Sequence, residues 1–142
     1  MKIFGHPAHI ILIHFPSALF PMDVFCSALF LLTGEILYAH ASLCASVGGA
    51  ALGWIAVVLG GIDLIRIPAG KTSAVKRALI HGSINTSVVI AYSVFAVLAL
   101  RHSSSEHSVL FAGAKGLVVM GMMVGNFLGG NLVLKDGLGM IE

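Results

Sequence analysis

Hydrophobic and polar positions along the chain separate into four long apolar runs joined by short polar ones. The runs extend from about Pro7 to Leu37, Ala45 to Ile65, Ser73 to Leu100 and Val109 to Leu134. Each holds at least 20 residues, and about 20 residues at 1.5 Å rise cross a hydrocarbon core of about 30 Å. Runs this long predict helices rather than strands. Pro7 suits the first turn of a helix, where its missing N–H is no loss. Pro16 and Pro21 should bend the first helix and free carbonyls near Leu12 and Ser17. The predicted connections are Ala39-His40-Ala41-Ser42, Arg66 to Thr72 with Pro68 and Gly70 as stops, and Arg101 to Ser108. Connections so short imply antiparallel neighbours. The expected fold is all-α, a single up-down four-helix transmembrane bundle over residues 1–142.

Composition sharpens this into a class. Apolar residues make up 58% of the chain and charged residues 10%, with a mean hydropathy of +1.01. Soluble domains carry about 25% charged residues, so a water-soluble fold could not cover itself here. The net charge of +2 and pI near 8.7 are too weak for nucleic-acid binding. With an even helix count, the N-terminus, the second connection and the C-terminus share one side. They hold Lys2, Arg66, Lys71, Lys76, Arg77 and Lys135, six of the eight basic residues, while Arg101 and Lys115 lie toward the other. The positive-inside rule then places both termini in the cytoplasm. The opening run is read as retained rather than cleaved, since it is long, proline-containing and lacks a small-residue cleavage site.

Small residues mark where helices should meet. Gly121-x-x-x-Gly125-x-x-x-Gly129 lines one face of the fourth run and Ala45-x-x-x-Gly49-x-x-x-Gly53 one face of the second. Close backbone approach is the physical reading, within the bundle or across a homo-oligomer or larger membrane complex. Cys26 and Cys44 form no C-x-x-C or haem-attachment motif and read as small buried hydrophobes. Trp54, in mid-helix, reads as core packing.

Candidate chemistry lies in the polar residues that interrupt the apolar runs. Counting about 20 residues inward from the non-cytoplasmic end of each helix brings His14, Asp63, His81 and Asn131 to one level. Arg77, His81 and Asn85 form one stripe of the third helix, and Asp63 and Arg66, three apart, can pair. Ionisable groups within spans point to function by default. A b-type haem held between helices needs two neutral imidazoles from different helices, and His14 and His81 satisfy residue type, helix and depth. Arg66, Lys76 and Arg77 would meet its propionates. A compact alternative sets His6, His9, His14 or His81 with Asp63 around zinc, copper or non-haem iron. A third reading has no cofactor: the histidines anchor the membrane boundary, Asp63–Arg66 is an interfacial ion pair, and the protein is a structural subunit docked through its glycine faces. Asp23, deeper in the first helix, is either protonated or paired between helices.

His6-Pro7-Ala8-His9, His14-Phe15-Pro16, Gly60-Gly61-Ile62-Asp63-Leu64, His81 to Asn85 and Gly129-Gly130-Asn131-Leu132-Val133 ending in Gly137-Leu138-Gly139 resemble the bacterial domain-of-unknown-function family 2231. The resemblance covers nearly the whole chain, and the His-Pro-x-His opening is its most specific part. It implies a small four-helix module of the bacterial cytoplasmic membrane. Similar modules fused to Rieske or cytochrome c domains imply a place in membrane electron transfer, with a quinone or a larger respiratory complex as partner. Lys135-Asp136 stand where the family pattern leads one to expect an aromatic and often a histidine, so the tail is not counted as a ligand source. The expected task is electron carriage by a bound haem b, not independent enzymatic turnover.

Overall fold

A computed structural model describes the backbone of residues 2–3, 6–7, 11–68, 70–102 and 108–136, and side chains between Ile11 and Asn131 within those ranges. Four helices carry the fold: α1 His14–Thr33, α2 Ile36–Leu64, α3 Thr72–Arg101 and α4 Val109–Asp136. Ahead of them β1 (Lys2–Ile3) and β2 (His6–Pro7) form a minimal antiparallel pair, with Lys2 opposite Pro7. Pro7 therefore does not open the first helix as the apolar pattern suggests. Ile11 and Leu12 are already helical, and Ile13 separates them from α1: Pro16 has no N–H to give the Leu12 carbonyl, and the regular ladder resumes one residue on, with Ser17 N bonded to Ile13 O at 3.1 Å. Pro16 thus lies in the first turn, where a missing N–H is harmless, and Pro21 alone is interior to α1.

The first connection also differs from expectation. It is Gly34-Glu35, not Ala39 to Ser42. Gly34 takes the left-handed conformation (φ +72°) and returns its N–H to Phe30 O at 2.8 Å, a glycine C-terminal stop. Ala39-His40-Ala41-Ser42 contains no breaker and lies inside α2, with Ala39 and Ser42 buried and His40 exposed. The other boundaries agree with the sequence pattern to within a residue or two.

All four helices are long and apolar enough to cross a membrane. Each packs on its neighbours in sequence, and α1 closes the ring on α4 through the slimmest of the four seams. The buried stripe of α1 recurs at 16, 20, 23, 27 and 30, and that of α2 at 39, 42, 46, 49, 53 and 56, the spacing of one helix face. Every residue of the α2 stripe is Ala, Ser or Gly, so its neighbours approach closely. Phe20, Val88, Tyr92 and Met122 form the central core, with the Phe20 and Tyr92 rings stacked at 3.7 Å. Side chains such as Leu32, Leu110, Leu117 and Phe127 point outward, as a lipid-facing surface requires. Trp54 is 42% exposed and donates to Ser93 Oγ at 3.0 Å, so it is not a core residue. Cys26 is buried as expected, but Cys44 is exposed.

The glycine faces are spent inside the protein. A Cβ on Gly49 would lie 2.5 Å from the Phe20 ring and one on Gly53 2.8 Å from Val89, while Gly125 and Gly129 press against Asn85 and His81 of α3. Gly121 meets nothing within 4 Å. Overpacking a tight contact costs about 1–3 kcal/mol. Gly49→Ala should therefore lower the unfolding temperature in detergent clearly, whereas Gly121→Ala should change stability by less than about 0.5 kcal/mol. Equal effects of the two substitutions would contradict this packing.

Candidate functional site

Two polar assemblies interrupt the apolar interior, one in each half of the bundle. The first borders a cavity of about 1100 Å³ between the helices. Its space comes from missing side chains: Gly60 and Gly61 on α2, Gly82 on α3 and Gly129 and Gly130 on α4 all line it. Its floor includes Phe20, Val88 and Met122 of the central core. His14 from α1, Asp63 from the end of α2, Arg66 from the turn after it, and His81 and Asn85 from α3 all border this one space. The levelled set predicted from helix depth is thus brought together, apart from Asn131. That amide turns back to its own helix, donating to Phe127 O at 3.1 Å. Arg77 and Lys76 lie on exposed positions outside the cavity wall.

His81 is the most constrained member. Its Nδ1 lies 2.7 Å from the carbonyl oxygen of Gly125. A carbonyl only accepts, so Nδ1 carries a proton and, in the neutral ring, Nε2 keeps its lone pair. The 3.2 Å approach of Asn85 Nδ2 to the same nitrogen then joins two donors, and the productive bond of that amide is the one to His81 O at 3.1 Å. Gly129 leaves room for the ring: a Cβ there would lie 2.5 Å from Cε1. No partner to Nε2 exists among the described residues. An imidazole oriented through one nitrogen by a backbone carbonyl and open at the other is the arrangement that ligating histidines use.

At the rim, Asp63 and Arg66 pair as predicted, at 4.0 Å, with Arg66 61% exposed. Such a pair contributes about 0–1 kcal/mol, so it leaves Arg66 available to a ligand's acidic group. His6 lies in β2, but its side chain, like the whole of His9, is outside the described residues. Among the described residues no three His, Cys, Asp or Glu side chains converge tightly enough to hold a metal ion.

The second assembly escaped the sequence reading. Lys115, which the basic-residue count places only toward the side away from the termini, is fully buried, and so is Asp23. Lys115 Nζ is 3.0 Å from Asp23 Oδ1, and also donates to Ser27 Oγ and Ser42 Oγ, both at 3.2 Å. The Ser42 hydroxyl donates to the same carboxylate oxygen, so Ser27 donates in turn to Ser42 Oγ at 2.9 Å. The ammonium lies 4.8 Å from the Phe111 ring centroid. Between the two assemblies stand Phe20 and Tyr92, whose hydroxyl bonds the carbonyls of Phe20 and Lys115 at 3.3 and 3.4 Å. One signal for this pair was present in the sequence: two lone, opposite charges inside separate apolar runs have no inexpensive state but each other. Asp23 is thus the paired case of the two left open for it.

Residues 5–142 match the family of predicted membrane proteins DUF2231, and the chain belongs to that family. No curated protein and no solved structure matches it.

The buried pair sets a stability expectation. Removing one partner of a buried ion pair leaves an uncompensated charge at a cost of about 3–5 kcal/mol. Lys115→Met should therefore destabilise the protein strongly, and adding Asp23→Asn should recover much of the loss. Thermal unfolding of both variants in detergent checks this, and additive losses would contradict a coupled pair.

Proposed function

We propose that this protein is a non-enzymatic electron carrier whose interhelical cavity would hold a b-type haem, with His81 and His14 as the residues that would ligate it. The observation that carries this reading is the state of His81, which lines the cavity: Nδ1 is bonded to the Gly125 carbonyl, and Nε2 has no hydrogen-bond partner among the described residues. A second imidazole, His14, borders the same space from a different helix, and two such ligands suit a low-spin haem. The cavity is slightly larger than the usual range for small-molecule sites, about 300–1,000 Å³, and its walls are mainly apolar. Arg66 at the rim supplies a cation for the propionates. When bound, haem supplies one-electron transfer; the chain ligates it, buries it and tunes its surroundings. The partner would be a quinone or a larger respiratory complex.

Orientation belongs to the same proposal. With Lys115 buried between helices, Arg101 is the remaining basic residue on the side away from the cavity, against six on the cavity side. That asymmetry supports both termini in the cytoplasm of a bacterial cell and a haem near the cytoplasmic face.

The test is a reduced-minus-oxidised visible spectrum of the protein purified from cells supplied with haem precursor. Sharp b-type bands are expected, lost in His81→Ala and lost or strongly shifted in His14→Ala. A colourless wild-type protein overturns the proposal. Stoichiometric metal without haem bands would then favour a non-haem centre, and neither haem nor metal an anchoring subunit.

A further inference from the structure

The surroundings of the Lys115 ammonium have the chemistry of a cation site. Asp23 Oδ1 on α1, Ser27 Oγ on α1 and Ser42 Oγ on α2 stand 3.0, 3.2 and 3.2 Å from Nζ. An ammonium carries three N–H groups, and three oxygens receive them. The Phe111 ring presents a fourth, softer contact at 4.8 Å. One carboxylate, two hydroxyl oxygens and an aromatic ring attract any small monovalent cation stripped of water, because the attraction is charge to charge, dipole and quadrupole. The carboxylate balances a single positive charge, which selects monovalent over divalent ions. One turn further along the same face of α2 lies Ser46, 1% exposed, whose hydroxyl has no hydrogen-bond partner among the described residues.

We propose that Asp23, Ser27 and Ser42 form a monovalent-cation site in the half of the bundle away from the cavity, and that Lys115 is its occupant, supplied by the chain itself. The ligand class is an alkali-metal ion or a small alkylammonium. Tethering gives the ammonium an effective concentration that ions in solution do not reach, so the native protein is closed to them. Its benefit is that α1, α2 and α4 are joined by a charge that neither salt nor dilution removes. Truncating the side chain opens the volume of the tether, and the site then takes its cation from the medium. The site is separate from the cavity, with Phe20 and Tyr92 between them, and does not depend on what the cavity holds.

The experiment compares wild type, Lys115→Ala, Lys115→Met and Asp23→Asn/Lys115→Ala. Each is purified in detergent and melted in sodium, potassium, methylammonium or choline chloride at one ionic strength. Choline is too bulky for the vacated volume and serves as the reference. Lys115→Ala should melt about 5 °C or more higher in at least one of the three small cations than in choline, as binding to the folded state alone requires. Wild type should not distinguish the salts. Neither should Lys115→Met, whose side chain fills the tether's volume, nor the double variant, which lacks the carboxylate. Equal melting of Lys115→Ala in all four salts overturns the proposal. Failure to recover Lys115→Ala from every small-cation medium overturns it as well, since a cation site accepts its ion from solvent.

Discussion

A full positive charge buried inside an apolar bundle needs enough oxygen around it to replace water. Lys115 meets that need with one carboxylate and two hydroxyls, drawn from two other helices. The demand is severe because the surroundings offer nothing else, and it therefore dictates where α1, α2 and α4 lie relative to one another. The seam between α1 and α4 has the least packing of the four, and the ion pair crosses it at the midpoint of α1. Apolar contact gives little preference for one helix neighbour over another in lipid, whose tails are as apolar as leucine. A buried ion pair with its hydroxyl partners does supply such a preference.

The remaining architecture is built around that junction. Small residues along α2 let α1 and α3 approach, and the approach brings Phe20 onto Tyr92 in a stacked layer. On one side of this layer the bundle is tight and holds the ion pair. On the other, glycines on three helices leave a large cavity bordered by His14, Asp63, His81 and Asn85. The same kind of residue thus does opposite things. Gly49 and Gly53 are filled by a neighbour's side chain, whereas Gly60, Gly61 and Gly82 meet no neighbouring atom and leave space. Gly129 does both, bordering the cavity while admitting the His81 ring. His81 gains its fixed orientation from that fit and from the Gly125 carbonyl.

Much of this was legible before any coordinates. Run length and composition sufficed for four spans, and depth counting placed His14, Asp63 and His81 at one level because a straight helix has a constant rise. The first helix was misjudged at both ends. The pattern suggests Pro7 as a helix start, but Pro7 pairs in β2 and Pro16 interrupts the ladder at Ile13, and hydropathy does not register a two-residue stop such as Gly34-Glu35. The burial of Lys115 is not legible in a count of basic residues, which records the side of the membrane and not solvation. The proximity of Asp23 to Lys115 depends on which helices are neighbours, and residues 92 apart in sequence carry no local sign of it.

The sequence by itself determined the class, the number of spans, their approximate limits and the level of the cavity histidines. These follow from backbone hydrogen bonding in lipid and from a fixed rise per residue, both of which act locally. Only the tertiary structure decided which glycines are filled and which leave space, which nitrogen of His81 is bound, and that the one buried lysine among the described residues has a carboxylate waiting for it. Those outcomes rest on contacts between helices, where a shift of about one ångström separates a hydrogen bond from none.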